Sequence, residues 1–237
     1  MKIVAISDTH GKHRELGELP EGDVLVHAGD WSMMGTEEQT AEFLSWFIQQ
    51  PFKHRVLIAG NHDWIAQNSR ERLLSLMRTS WPDFVQDPGE LHYLEDSGCT
   101  IEGVRFWGSP VQPEFCNWAF NRERGVEIKR HWDMIPNNTD VLITHGPAEG
   151  YGGLTARGGE VGCVDLWRAI DRVRPQVHIC GHIHEDAGEW RHVWDDGSYT
   201  TLINASVLNL KYNLTRPPTC ITVFSNQQQE EEVIGNI

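Results

Sequence analysis

Continuous apolar runs recur along the chain and alternate with segments whose apolar positions have helical spacing. The runs are rich in valine, isoleucine and leucine and stop at glycine or at polar residues, which is typical of inner strands of a sheet. The clearest of them cover residues 2–6, 23–28, 54–59, 140–144 and 177–180. This alternation predicts an α/β protein with mixed α+β character.

The segment after the second run carries the strongest helix signals. Thr36 is a suitable N-cap residue, and the acidic Glu37 and Glu38 complement the helix dipole in the first turn. Apolar residues recur at helical spacing to about Gln49, so the aromatic residues of this segment are assigned to the core, and Pro51 ends the pattern. Further helices are predicted at 64–78, 126–134 and 163–174.

Shorter strands account for most of the remaining chain. Glu102-Gly103 and Asp195-Asp-Gly197 are tight turns that predict hairpins between their neighbours. The strands are predicted at 91–94, 99–102, 104–108, 189–194, 199–205 and 219–224, the last three as closing antiparallel strands. A helix break is predicted at 81–83 and a polar, solvated tail at 225–237, and we expect a single domain over 1–237.

Composition and charge narrow the classes of partner. The chain has 237 residues, of which 39% are hydrophobic and 23% charged, which is ordinary globular usage. With 34 acidic and 20 basic residues, the formal net charge is −14. Such a chain repels the phosphates of a long nucleic acid or an anionic membrane. A small phosphorylated substrate is still compatible if bound cations supply local positive charge.

Cysteine usage and hydropathy bear on the compartment. The five cysteines are widely spaced and include no C-x-x-C pair, which favours free thiols in a reducing compartment. The apolar run after Lys2 is too short for a signal peptide, and no apolar run is long enough to span a bilayer. We therefore expect a soluble, cytoplasmic protein.

Residues able to bind metal follow each of the five clearest strands. Because ligands of open α/β sheets gather beyond the carboxyl ends of the strands, these residues are expected to meet. Asp30 has two oxygens and is the candidate to bridge two cations. Asn61 offers a neutral oxygen, and its neighbour His62, which points the opposite way on an extended chain, is expected to face the substrate. The motifs are Asp8-Thr-His10, Gly29-Asp30, Gly60-Asn-His-Asp63, Thr144-His-Gly146 and Gly181-His-Ile-His184.

Each motif also has a structural explanation when it is taken alone, as a polar turn or a solvated strand end. Two loops leave similar alternatives open. The segment 109–125 is rich in aromatic and amide side chains and is either a binding loop or a cover for the core. The glycine-rich segment 150–162 lacks the phosphate-loop pattern and is either a flexible lid or a surface loop.

Taken together and in this order, the five motifs resemble the calcineurin-like metallophosphoesterase superfamily, whose pattern D-x-H, G-D, G-N-H-[DE], H, G-H-x-H is matched at every position. The resemblance spans residues 2 to about 224. Further stretches are similar to the metallophosphoesterase-domain-containing, class III phosphodiesterase-like group, some animal members of which carry glycine where this chain has His182. These stretches are 109–113, 118–121, 124–125, 144–147, 161–163, 181–185 and 204–206.

The resemblance implies a four-layer sandwich of two mixed sheets flanked by helices, and a hydrolase with two divalent metal ions. It assigns one metal to Asp8, His10, Asp30 and His184, and the other to Asp30, Asn61, His145 and His182. Manganese is the expected metal, with iron or zinc as alternatives. His62, together with Asp30 at the catalytic centre, would stabilise phosphoryl oxygens or protonate the leaving alkoxide, and Asp63 or the backbone would orient a histidine.

The expected reaction is hydrolysis of small or nucleotide phosphodiesters by in-line attack of a metal-bridging hydroxide. His62, Trp118, Phe120, Asn121 and Arg124 are the predicted substrate-binding residues, with Trp118 and Phe120 stacking on a base. Two alternatives stay open. One is a phosphomonoesterase or nucleotidase on the same site, and the other is a non-catalytic interaction scaffold with this fold.

Overall fold

The computed structural model describes residues 1–80 and 91–225. The predicted helix break at 81–83 and all but Ser225 of the predicted polar tail lie outside the described residues. The strands in chain order are β1 Lys2–Ile6, β2 Val24–His27, β3 His54–Leu57, β4 Leu91–Tyr93, β5 Ser97–Ile101, β6 Val104–Ser109, β7 Gln112–Pro113, β8 Asn121–Arg122, β9 Val141–Thr144, β10 Val177–Cys180, β11 Gly188–Val193, β12 Tyr199–Asn204 and β13 Thr219–Thr222. The α-helices are α1 Glu37–Gln49, α2 Trp64–Asn68, α3 Arg70–Ser80, α4 Val126–Asp133 and α5 Val164–Val173.

Most of the strands form two mixed sheets. The first has the order β13-β1-β2-β3-β4, in which β1 to β4 are parallel and β13 is antiparallel to β1. The second has the order β11-β12-β10-β9-β6-β5, in which β12, β10, β9 and β6 are parallel and the two edge strands are antiparallel to their neighbours. Strand β13 therefore closes the first sheet rather than extending the β11–β12 hairpin.

Alternating side chains of the inner strands build three apolar layers. In β1, Ile3 and Ala5 face the second sheet, whereas Val4 and Ile6 face α1 and α3. A third cluster lies between the second sheet and helices α4 and α5. Each large aliphatic or aromatic side chain buried in these layers stabilises the fold by roughly 1.5–3 kcal/mol. The predicted four-layer sandwich is therefore confirmed.

Most predicted elements lie within two residues of their predicted bounds. Thr36 caps α1 as expected, since its hydroxyl accepts a hydrogen bond from the Gln39 amide at 3.3 Å. The single helix predicted at 64–78 is wrong, because Ser69 leaves helical geometry at φ −150° and separates α2 from α3. The carbonyl of Ser69 accepts the Leu73 amide and so starts the second helix. The segment 109–125, called the aromatic loop below, contains strands β7 and β8, which were not predicted.

Candidate metal centre

The predicted metal ligands meet where the carboxyl ends of both sheets adjoin. The first sheet supplies Asp8, His10, Asp30 and Asn61 from the segments after β1, β2 and β3, and the second supplies His145, His182 and His184 from those after β9 and β10. All of them except the partly exposed His182 are buried. A buried group of carboxylates and imidazoles without Lys or Arg charges is the expected setting of a metal site.

Two compact clusters of donor atoms occupy this place, and a third group, His10, Asp30 and His62, overlaps both of them. Asp8, His10 and His184 form one, and Asp30, His145 and His182 form the other; within each, the donor atoms lie within 4.8 Å of one another. The Nε2 atoms of His10 and His184 are 3.3 Å apart, and Asn61 adds its Oδ1 at 2.9 Å from Nε2 of His145. The structure thus brings together all seven residues that the resemblance assigned to metals.

Asp30 lies between the two clusters. Its Oδ2 is 3.7 Å from Nε2 of His10 and 3.4 Å from Nε2 of His145. Its Oδ1 accepts the His62 backbone amide at 2.8 Å, which fixes the carboxylate plane. A single oxygen of Asp30 therefore faces both clusters, as a bridging ligand must.

The hydrogen bonds of the histidines show that the residues present suit metal ions. Nδ1 of His10, His145 and His184 meets the backbone carbonyls of Ser32, Ala28 and Asn209, respectively, at 3.0–3.2 Å. A carbonyl can only accept, so each Nδ1 carries a proton and each ring turns its Nε2 toward the carboxylates. Imidazole nitrogens and carboxylate oxygens that converge in this way need a shared proton or a cation between them, and this donor set therefore fits bound metal.

The electrostatics of the same groups lead to the same requirement. Burial lowers the pKa of His10 and of His182 to about 4, so both rings are neutral donors at neutral pH. Burial also opposes protonation of His145, but the charge of Asp30 outweighs it and raises the pKa of His145 to about 9. A proton on His145 thus supplies positive charge that a metal ion would replace, which couples metal binding to proton release.

The backbone of the centre is strained at its ligands. Asp8, His10, Asp30 and His182 have φ values of 55°, 44°, 57° and 70°, in the left-handed region that residues with side chains rarely adopt. Glycine is required beside them, because a Cβ at Gly181 would collide with the Asp8 carboxylate. Such strain persists where the surrounding structure holds it and is common at functional sites.

Other buried groups hold the ligands in place. Asp63 accepts hydrogen bonds from the backbone amides of Asp30, Ser32 and Gly60 at 2.8–3.1 Å, so it fixes the Asp30 loop and not a histidine. The orienting partners of the histidines are backbone carbonyls, the second of the two predicted possibilities. On the opposite side, the Ser206 hydroxyl donates to Asp8 Oδ2 at 2.7 Å.

Sequence reasoning did not assign Ser206 to the centre. The motif Asn204-Ala-Ser206 carried a signal, since Oδ1 of Asn204 accepts the Ser206 amide at 3.1 Å and so holds this residue beside Asp8. Tyr212 was also missed. Its ring meets those of His10 and His184 edge to face, with centroids 4.9 and 5.5 Å away.

His62 lies beside the clusters with one ring nitrogen committed. Its Nδ1 donates to the Met33 carbonyl at 2.7 Å, which leaves Nε2 directed toward His10 and Asp30. The ring is packed on that of Trp118, with centroids 4.1 Å apart. Trp118 thus uses one face on His62, and this face is closed to a substrate base.

The centre opens into a cavity of about 460 Å³. Of the predicted substrate residues, His62, Trp118 and Arg124 line it. Phe120 does not, because its ring is 3% exposed and packs in the core beneath, so the prediction that it stacks on a base is wrong. The Asn121 amide does not line the cavity either; it donates to the carbonyls of Phe115 and Cys116 and shapes the aromatic loop.

The glycine-rich segment 150–162 forms one wall of this cavity and is tied down along its length. The amides of Leu154 and Ala156 donate to the carboxylates of Asp186 and Glu185, respectively, at 2.7 and 2.8 Å. The Arg124 guanidinium donates to the carbonyls of Val161 and Gly162 at 2.6 and 2.8 Å. These hydrogen bonds fix the segment to its neighbours as a surface loop, the second of the two predicted alternatives.

Comparison of the sequence with known proteins shows which family it resembles. A family model described as calcineurin-like phosphoesterase matches residues 1–186. Metallophosphoesterase domain-containing protein 1 from Homo sapiens is 36% identical over 236 residues, which cover 93% of this chain and 70% of the human protein. A Caenorhabditis elegans relative is 37% identical over 222 residues, covering 92% of this chain and 73% of its own length.

Solved structures share the fold at low identity. Phosphopantetheinyl hydrolase from Mycobacterium tuberculosis superposes with a TM-score of 0.54 at 15% identity, over 89% of this chain and 90% of its own. A dimetal phosphatase from Danio rerio gives a TM-score of 0.50 at 11% identity, over 86% and 87%. Similarity at this level concerns the fold alone.

No helix among the described residues is long and apolar enough to cross a membrane.

Proposed function

The chain belongs to the calcineurin-like phosphoesterase family, and we propose that within it the chain is a two-metal phosphodiesterase acting on small or nucleotide phosphodiesters. The main support for this proposal is the position of Asp30 between the two donor clusters. Its Oδ2 faces Nε2 of His10 on one side and Nε2 of His145 on the other. A carboxylate shared by two buried donor clusters is the arrangement that holds a pair of cations.

The donor types favour particular metals. Asp8, His10, Asp30 and His184 would hold one cation, and Asp30, Asn61, His145 and His182 the other. Imidazole, carboxylate and amide donors without thiolate suit manganese, iron or zinc better than calcium, and we propose manganese. When bound, such a pair lowers the pKa of a water molecule and withdraws charge from a phosphoryl oxygen.

The protein's own groups position and protonate the substrate. The hydrogen bond from His62 Nδ1 to the Met33 carbonyl holds the ring with Nε2 toward the centre. A protonated His62 can donate from Nε2 to a phosphoryl oxygen or to the leaving oxygen, which is general acid catalysis. The buried surroundings of Asp8 and Asp30 exclude water, so each charge interacts more strongly than it would in solvent.

Charge favours a diester over a monoester. Among the described residues that line the cavity, Arg124 is the only arginine or lysine, and its guanidinium donates to two backbone carbonyls. The lining also carries the carboxylates of Glu114 and Glu185. A monoester dianion has no dedicated cation beyond the metals, whereas a diester brings a single negative charge.

The test compares kcat/KM for bis(p-nitrophenyl) phosphate, p-nitrophenyl phosphate and a 2′,3′-cyclic nucleotide at saturating Mn²⁺. We expect the diesters to be hydrolysed faster than the monoester. Preference for the monoester would replace the diesterase by the phosphomonoesterase or nucleotidase alternative. Metal content per chain, measured in parallel, tests the scaffold alternative, since a scaffold would show neither high occupancy nor metal-dependent turnover.

A further inference from the structure

Large apolar side chains surround the mouth of the cavity. Phe115, Leu210 and Val161 are 59%, 57% and 37% exposed, respectively, and all three line the same cavity as the metal-binding residues. Single exposed apolar residues are common on protein surfaces, but several around one opening form a surface that gains free energy when it is covered. The mouth therefore offers an apolar site directly beside the buried polar centre.

Three separate segments hold these side chains in place. Phe115 lies between β7 and β8, and its ring centroid is 6.5 Å from that of His182. Leu210 lies in a turn in which the Asn209 side chain accepts the Lys211 and Asn213 amides at 2.9 and 3.1 Å. Val161 is held through its carbonyl by Arg124. The apolar mouth is thus a built surface and not the tip of one loop.

The charges beside these residues are unfavourable to anions. Glu114 is exposed at the mouth, and among the described residues no hydrogen bond or ion pair to its carboxylate is found. The Glu185 carboxylate accepts the Ala156 amide at 2.8 Å, and the guanidinium of Arg124 donates to two carbonyls. A substrate group that carries a second phosphate or a carboxylate would be repelled here.

We propose that the substrate is a phosphodiester with one apolar, uncharged ester group, which extends from the metal centre between Phe115, Val161 and Leu210. The proposal rests on the proposed phosphodiesterase function. The phosphate remains the single anionic group of the substrate and lies at the metals. The apolar group covers the mouth, and a fully buried methylene improves binding about fourfold, the equivalent of about 0.8 kcal/mol.

The experiment uses O-alkyl methylphosphonates as stable monoanionic mimics of a diester. Their inhibition constants against hydrolysis of bis(p-nitrophenyl) phosphate are measured from methyl to octyl with the Mn²⁺-loaded protein, below the micelle concentration of each compound. We expect the inhibition constant to fall severalfold for each added pair of methylenes until the mouth is filled. An inhibition constant independent of chain length in the wild type would overturn the proposal.

Variants locate the binding surface. Phe115→Asn and Leu210→Asn should each flatten the dependence on chain length, whereas Val193→Asn, which changes an exposed apolar side chain outside this cavity, should keep the wild-type slope. The slope within each variant is the readout, so altered turnover does not affect the result. An unchanged slope in both mouth variants would overturn the assignment to these residues.

A charged analogue tests the acidic character of the mouth. An alkyl chain that ends in a carboxylate should lose most of the gain of the uncharged chain of equal length, and Glu114→Gln should restore part of it. Equal inhibition by the two analogues in the wild type would contradict the proposal. If the wild type hydrolyses bis(p-nitrophenyl) phosphate in a metal-dependent way but shows no chain-length dependence, only this inference fails; absence of that hydrolysis instead refutes the proposed function.

Discussion

His62 is packed against Trp118, with ring centroids 4.1 Å apart and planes inclined by 28°. Together with the hydrogen bond from Nδ1 to the Met33 carbonyl, this contact fixes both the plane of the imidazole and its rotation within that plane. The aromatic loop therefore acts on the centre through a histidine next to Asn61, a candidate metal ligand. We propose that Trp118 is a positioning residue in this arrangement, because the face that packs on His62 is closed to a substrate base.

Trp118→Ala should lower kcat more than it raises KM, because its main effect is to free the His62 ring. Trp118→Phe should restore most of the loss, since a smaller aromatic ring still packs on the imidazole. In a double-mutant cycle, Trp118→Ala should have little further effect in the His62→Asn background. Additive effects, or a change confined to KM, would show that Trp118 contacts the substrate directly.

His62→Asn should retain bound metal and slow turnover by about 10²–10⁴-fold, the usual contribution of a positioned acid. The loss should be larger for alkyl leaving groups than for p-nitrophenolate, which leaves without protonation. Elemental analysis after dialysis gives the metal content. Because Nε2 of His62 lies near donor atoms of His10 and Asp30, loss of metal together with activity would make His62 a ligand.

Asp30→Asn should reduce metal content more than His10→Gln or His145→Gln. The carboxylate faces both clusters, whereas each of these histidines belongs to one cluster, and the introduced amide can donate to Nε2 atoms that would otherwise bind cations. Asp195→Asn, at an exposed turn, is the matched control and should keep wild-type occupancy. Equal metal content in Asp30→Asn and the wild type would contradict the bridging role.

The free energy of unfolding should decrease as the pH falls below about 6.5. Burial lowers the pKa of His27 and of His178 to about 3, so between pH 6.5 and 3 the unfolded chain binds protons at these positions that the native chain does not. Each histidine contributes a slope of up to about 1.4 kcal/mol per pH unit, with stability lost toward acid.

His178→Gln isolates one of these two contributions. Nε2 of His178 contacts the Thr144 hydroxyl at 2.8 Å, and an amide can donate to the same oxygen without titrating. Urea unfolding at several values between pH 5 and 7 should show a smaller slope in His178→Gln than in the wild type. Parallel curves for the two proteins would refute the assignment of this slope to His178.

Most strands and helices, and the meeting of the candidate metal ligands at one edge, could be predicted because each depends on a local signal. The run ending at Asp30 shows this, since a buried parallel strand must deliver the next residue to the carboxyl edge of its sheet. Which groups contact Asp30 is decided by the packing of segments that are distant in the sequence. Whether Asp63 would bind a histidine or a backbone amide depends on the left-handed turn at Asp30, which sequence spacing does not specify.

The aromatic loop was the least predictable part of the site. Trp118 and Phe120 are two positions apart in a short irregular segment, and their sequence positions favoured a shared role. The structure separates them, because Ala119 and Phe120 pack on the core while Trp118 packs on His62. A burial difference of this kind depends on contacts with distant residues such as Gln67, whose side chain accepts the Phe120 amide at 2.6 Å.

The division of the donor atoms between two sheets has a consequence for how long the protein survives proteolysis. Cations held by residues of both sheets would act as removable cross-links at one edge of the sandwich. A ligand that binds only the native state adds about 2.7 kcal/mol of stability at 100 times its dissociation constant. Metal supply would then regulate how readily the sheets separate, and protease resistance should rise and fall with the concentration of free metal.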